Sequence, residues 1–102
     1  MLIQLRTFTL EKGHVDTFVE KMREPHPVDA FDGMMERTIL SFTRKKSEDE
    51  VVMMLRWRSK EDWMNWERSD VHLAGHREKK EKPSFIKLVE VKMYEAETMY
   101  SR

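Results

Sequence analysis

Histidine and tryptophan are the residues of this 102-residue chain whose spacing most clearly suggests chemistry. His72 and His76 lie four residues apart, a spacing at which two imidazoles share one helix face and can bind a metal ion. The sequence places no HExxH frame around them and offers no evident third ligand, so chance spacing remains the simpler interpretation. Trp63 and Trp66, three residues apart, predict either core packing or a flat aromatic wall for a planar ligand. Periodicity alone favours core packing, although His76 could ligate a metal held in such a plane.

Composition argues against several other classes of site. The chain has three glycines, and neither GxGxxG, a Walker motif nor a GxSxG elbow occurs, so we expect no bound nicotinamide or flavin. It has no cysteine, which removes disulfides, iron–sulfur clusters and thiol nucleophiles. Lys plus Arg and Asp plus Glu both number 19, and this zero net charge argues against a nucleic-acid partner. Because no apolar run approaches the roughly 18 residues of a membrane span, we expect a cytosolic protein.

The first elements are predicted from hydrophobic periodicity. Residues 2–10 alternate as a strand does, with both faces partly apolar. Residues 13–23 predict an amphipathic helix. Its apolar stripe consists of Val15, Phe18, Val19 and Met22.

A β-hairpin is predicted in the middle of the chain. Residues 24–33 contain Pro25 and Pro27 and are expected to be a connector that ends in a turn. Residues 34–43 and 51–58 predict two strands, joined by a charged turn over 44–50. The second of these strands is almost continuously apolar, so we expect it in the centre of its sheet.

Two helix caps are predicted next. Ser59, with an aspartate three residues later, fits the start of a helix that carries the tryptophans. Ser69 predicts a break and a new cap for a short helix through His76. Residues 77–84 are charged and are expected to form a mobile loop, and residues 85–94 predict the last strand.

The order strand, helix, strand, strand, helix, strand is typical of the ferredoxin-like α+β fold. It predicts one domain over residues 1–102, with an antiparallel sheet and both helical segments on one of its faces. With 37% charged residues the core is small, and a second copy could cover the other face of the sheet.

A family resemblance is carried by residues 57–76, WRSKEDWMNWERSDVHLAGH. The segment resembles the IsdG-type heme-degrading monooxygenases within the antibiotic biosynthesis monooxygenase (ABM) domain family, where the pattern reads approximately W-x-S-x-x-x-(F/W)-x-x-W-x-x-S-x-x-(F/H)-x-x-A-H. The matching residues are Trp57, Ser59, Trp63, Trp66, Ser69 and His76, with Gly75 where Ala is more usual. Lys12-Gly13 and Phe31-Asp32-Gly33-Met34 are similar to family turns, so the resemblance spans most of the chain.

The resemblance implies a homodimer whose two sheets form a shared β-barrel, with a heme in the cleft of each subunit. It implies that His76 is the axial iron ligand and that Trp66 presses on the porphyrin. Heme would be both substrate and oxygen-activating group, with O2 and an external electron donor required for ring opening and iron release. Trp63, Phe8 and Met53 are further lining candidates, for which core packing is equally consistent.

Arg6 is the main departure from the family pattern, because the heme-degrading members usually carry Asn there. Arginine is long, always charged and only a donor. Arg6 could fill the space of the heme, reach a propionate or hydrogen-bond a bound oxygen. Alternatives to a heme-degrading enzyme are therefore a cofactor-independent ABM monooxygenase acting on an aromatic substrate, a non-catalytic heme-binding dimer and a dimer with no small ligand.

Overall fold

The computed structural model describes residues 1–78 and 81–102, which form four strands, three α-helices and one 3-10 helix. In chain order these are β1 (Leu2–Glu11), α1 (Val15–Met22), the 3-10 helix (Pro27–Ala30), β2 (Met34–Phe42), β3 (Glu48–Trp57), α2 (Lys60–Glu67), α3 (Asp70–Arg77) and β4 (Ile86–Glu95).

The strands form an antiparallel sheet in the order β2-β3-β1-β4. This order confirms the predicted ferredoxin-like fold, and β3 is an inner strand as expected. Arg6 of β1 lies opposite Met53 of β3 and Val91 of β4. Directly opposed residues in an antiparallel sheet point to the same face, so these three side chains lie side by side.

The charged turn predicted over 44–50 is wrong for its last three residues, because β3 begins at Glu48 and ends at Trp57. Asp49 is only 3% exposed although it is charged. Its carboxylate accepts hydrogen bonds from Lys12 Nζ at 2.7 Å and from the Gly13 backbone N–H at 3.1 Å. Lys12 Nζ also donates to the carbonyls of Thr43 and Lys45, so this Lys12–Asp49 clip joins the β1–α1 turn to the β2–β3 turn.

The connector after α1 contains a 3-10 helix that the sequence reading missed. The side chain of His26 accepts a hydrogen bond from the Val28 N–H, and the Asp29 carboxylate accepts one from the His26 N–H. Pro27 stands at the first helical position, where its fixed φ is favourable. Pro27 therefore begins a short helix in the predicted connector.

The loop predicted over 77–84 is shortened at its start, because Arg77 belongs to α3. A basic side chain is favourable in the last turn of a helix, where the partial charge is negative. Lys79 and Lys80 lie outside the described residues, so the mobility of this loop remains a prediction. The last strand begins at Ile86, one residue later than predicted.

The described residues form two hydrophobic clusters on the same face of the sheet. We call the first the α1 cluster; its buried members are Phe8, Leu10, Phe18, Val51 and Met53. The second, the tryptophan cluster, consists of Leu2, Val28, Trp57 and Trp66. Leu55 packs against both clusters. The helices thus lie on one face, as predicted.

The opposite face of the sheet leaves apolar side chains in solvent, and none of the described helices packs on it. Leu40, Phe42, Leu88 and Tyr94 are each between 45% and 49% exposed there. Across residues 1–78 and 81–102, no helix is long and apolar enough to cross a membrane.

Candidate active site

The candidate site lies at the break between α2 and α3, where two serine caps position its side chains. Ser59 Oγ accepts from the Asp62 N–H at 3.1 Å and caps α2, as predicted. Ser69 Oγ accepts from the His72 N–H at 3.2 Å and caps α3, and it also donates to the Trp66 carbonyl at 2.7 Å. Since one serine binds both the end of α2 and the start of α3, it fixes the position of the histidines relative to Trp66.

Trp66 is 6% exposed and has aromatic rings on three sides. Its ring centroid lies 5.2 Å from that of Phe31, 6.1 Å from that of His26 and 5.0 Å from that of His72. These tilted and edge contacts are favourable geometries for aromatic pairs. A ligand in contact with Trp66 would meet a ring that its neighbours hold in place.

Trp63, one turn earlier on α2, packs against the same tryptophan cluster and is half-buried. Its indole N–H is buried and has no hydrogen-bond partner within residues 1–78 and 81–102. A buried donor without an acceptor is unfavourable, so a ligand that supplied an acceptor there would be favoured.

His72 and His76 meet directly, since their Nε2 atoms are 2.9 Å apart and their rings are perpendicular. The Nε2 atom of His72 also lies 3.0 Å from Glu67 Oε2. The side chain of His72 is 17% exposed, whereas His76 is exposed to solvent near the end of α3. Among the described residues, no group of three or more His, Asp or Glu side chains converges to hold a metal ion.

Arg6 is exposed and lies on the helix-covered face of β1, two residues from Phe8 of the α1 cluster and four from Leu2 of the tryptophan cluster. Across the part of the chain that the structure describes, its guanidinium has no ion-pair or hydrogen-bond partner. The other two candidates on this face, Phe8 and Met53, are 8% and 6% exposed and belong to the α1 cluster. Their packing agrees with the core alternative, and a lining role for them remains a prediction.

Asp62 is a second buried carboxylate, in the first turn of α2; the sequence placed it there, three residues after Ser59, but its burial and its ion pair with Arg58 were not predicted. Asp62 is 9% exposed and accepts hydrogen bonds from Arg58 Nε at 2.8 Å, Arg58 Nη2 at 3.0 Å and Ser59 Oγ at 2.9 Å. The Arg58 guanidinium, followed by the Ser59 hydroxyl, lowers the pKa of this carboxyl. Gly33 has a φ of +92°, and a Cβ there would overlap the Asp62 side chain. The Arg58-to-Asp62 spacing of four residues was the available signal.

The donor set suits a heme. A neutral imidazole is a common ligand of heme iron, and a porphyrin would favour a flat apolar surround. Within residues 1–78 and 81–102, the ring nitrogen of the exposed His76 imidazole has His72 as its hydrogen-bond partner, and Trp66 offers the fixed aromatic surface. A Cβ added at Gly75, next to His76, would meet no heavy atom within 4 Å, so the helix surface there is open.

Several known proteins are similar to this chain in sequence or in fold. The antibiotic biosynthesis monooxygenase family profile matches residues 1–78. The heme-degrading monooxygenase HmoA of Bacillus subtilis (strain 168) is 35% identical, covering 92% of this chain and 89% of that protein. A Bacillus cereus crystal structure assigned to the antibiotic biosynthesis monooxygenases has a TM-score of 0.84 and 31% identity, covering 99% of this chain and 97% of the other.

A more distant structure supports the fold alone. The heme-degrader MhuD of Mycobacterium tuberculosis, solved with two hemes bound in its active site, has a TM-score of 0.73. It is 15% identical, covering 99% of this chain and 100% of its own.

Proposed function

This chain belongs to the antibiotic biosynthesis monooxygenase family, and we propose that its activity is the oxidative degradation of heme. The observation that carries the proposal is the exposed imidazole of His76, which contacts His72, whose ring packs in turn against the fixed ring of Trp66. The name of the Bacillus subtilis relative, 35% identical over nearly the whole chain, supports it.

In this proposal three residues act on the ligand. His76 would hold the iron through a ring nitrogen, and Trp66 would limit how the porphyrin can lie. Arg6, which has no partner among the described residues, would donate either to a propionate carboxylate or to O2 beside the heme. When bound, heme would supply both the carbon that is oxidised and the iron that activates O2, with electrons from an external donor.

We also propose that the protein is a homodimer in which a second copy covers the open sheet face. The side chains of Leu40, Phe42, Leu88 and Tyr94 on that face are half-exposed apolar groups, which are favourable to bury. Sedimentation equilibrium tests this directly: a Leu40→Glu, Leu88→Glu double variant should sediment as a monomer while the unaltered protein sediments as a dimer.

The test of the activity begins with a hemin titration followed at the Soret band. One hemin per subunit should bind to the unaltered protein, and His76→Ala should lose that spectrum. Because His72 Nε2 lies 2.9 Å from His76 Nε2, His72 could replace the missing ligand, so the His72→Phe, His76→Ala double variant is measured beside it. His14→Ala is the matched control, since its ring stacks on Phe85 in the α1 part of the molecule.

Addition of ascorbate in air then separates the remaining alternatives. Decay of the Soret band with release of iron to a ferrous chelator is the expected result. Stable heme under the same conditions would indicate a non-catalytic heme-binding dimer. Hemin binding that neither histidine influences would refute the assignment of His76 and favour a heme-free oxygenase acting on an aromatic substrate in the same cleft.

A further inference from the structure

We propose that His72, held by Glu67, is a positioning residue that occupies the Nε2 atom of His76 until iron replaces it. This inference rests on the proposed function and adds a residue that the family resemblance does not assign. In the heme-free protein the nitrogen that would ligate iron is already in a hydrogen bond, so ligand binding is an exchange of partners.

The positions of the hydrogens are part of the proposal. Glu67 Oε2 lies 3.0 Å from His72 Nε2, and a carboxylate, which can only accept, favours the His72 tautomer with its proton on that nitrogen. In that tautomer His72 Nε2–H donates to His76 Nε2 at 2.9 Å, and His76 presents its lone pair. His76 then carries its own proton on Nδ1, which is the tautomer that coordination through Nε2 requires.

His72 is the fixed member of the pair and His76 is the one free to move. The His72 ring packs against Trp66, its side chain is 17% exposed, and its backbone N–H is bound by Ser69 Oγ. His76 is exposed and lies one residue before the end of α3. His76 belongs to neither hydrophobic cluster of the described residues, so rotation of its side chain away from His72 disturbs neither cluster.

The exchange leaves an acceptor within reach of His72. When His76 turns away, the Glu67 carboxylate, 3.0 Å from His72 Nε2, can accept the hydrogen bond of its N–H. A porphyrin without a metal has nothing to offer the lone pair of His76 and cannot compete with His72. The pair thus favours a metal-bearing ligand over a merely flat one.

The test compares two substitutions of His72. His72→Phe keeps a ring against Trp66 but removes the N–H, and we expect it to bind hemin about 2- to 10-fold more tightly, the equivalent of one typical hydrogen bond. His72→Gln keeps an N–H donor of similar reach and should bind as the unaltered protein does. His14→Phe controls for the loss of a histidine elsewhere.

A measurement without heme makes the test independent of activity. In the unaltered protein, nitrogen-15 spectra should show a scalar coupling between the two Nε2 atoms across the hydrogen bond, and His72→Phe should lack it. Absence of that coupling, or hemin affinity in His72→Phe that is equal or weaker, would overturn the inference while His76-dependent binding leaves the proposed function intact. No His76-dependent binding in the unaltered protein would overturn the proposed function and the exchange together.

Discussion

Substitution of Gly33 by alanine should destabilise the protein and displace the start of α2. Gly33 has a φ of +92°, and left-handed backbone costs an L-residue about 1–2 kcal/mol. The new Cβ would also overlap the Asp62 side chain, and forcing an extra methyl into a packed site costs about 1–3 kcal/mol. Together these give a loss of about 2–5 kcal/mol.

Gly13 provides a matched control, because its φ is also +92° while a Cβ there would meet nothing within 4 Å. Gly13→Ala should cost only the backbone contribution of about 1–2 kcal/mol. Urea unfolding of both variants gives the difference, and thermal unfolding should show it as a further drop of about 4–8 °C per kcal/mol. Since α2 carries Trp66, Gly33→Ala should also weaken hemin binding where Gly13→Ala does not. Equal destabilisation by the two substitutions would refute the overlap argument.

Three further predictions concern the helix, the buried acid and the cleft. Gly75→Ala should stabilise α3 by about 0.5–1 kcal/mol, measured by urea unfolding, because alanine has the higher helix propensity and space is open; a lower midpoint would contradict this. The hydrogen bond from Lys12, followed by that from the Gly13 N–H, lowers the pKa of Asp49, so its contribution to stability is present above the unfolded value of 3.8 and is lost as pH falls through the folded value. Asp49→Asn should therefore be less stable than the unaltered protein at neutral pH and should lose less stability in acid. The urea midpoint of both proteins is measured as a function of pH, and parallel profiles would argue against this prediction. Arg6→Gln should weaken hemin binding by about tenfold at low salt and by less at high salt, because an unpaired charge that attracts propionates is removed; a salt-independent affinity would favour a steric role.

The helix caps could be predicted from the sequence because they are local. Ser59 and Ser69 each bind a backbone N–H three residues later, and such contacts depend on few neighbours. The spacing of His72 and His76 likewise placed both on one helix face. The order of strands and helices along the chain followed from hydrophobic periodicity, and the resemblance agreed with it.

The features that could not be predicted from the sequence depend on residues that are distant from one another in the sequence, or on the break between α2 and α3. Asp49 reads as part of a charged turn, and its burial depends on Lys12, which lies 37 residues away. Glu67 is five residues before His72, which is not a helical spacing, and only the break at Ser69 brings them together. Alternation along β1 places Arg6 on the same face as Phe8, but its lack of a partner among the described residues depends on the assembled fold.

Because the core is divided into two clusters, the residues that hold the fold together and the residues that would bind the ligand are largely different. Among the described residues, no member of the α1 cluster takes part in the hydrogen bond, ion pair or ring contacts of His72 and His76, whereas Trp66 of the tryptophan cluster contacts His72. Because effects of substitutions in separate packing groups are close to additive, one half can be altered with little cost to the other. Leu55, in contact with both, is the exception. A scaffold arranged in this way can be redesigned, or can diverge, toward a new ligand while the half around α1 continues to hold the sheet together.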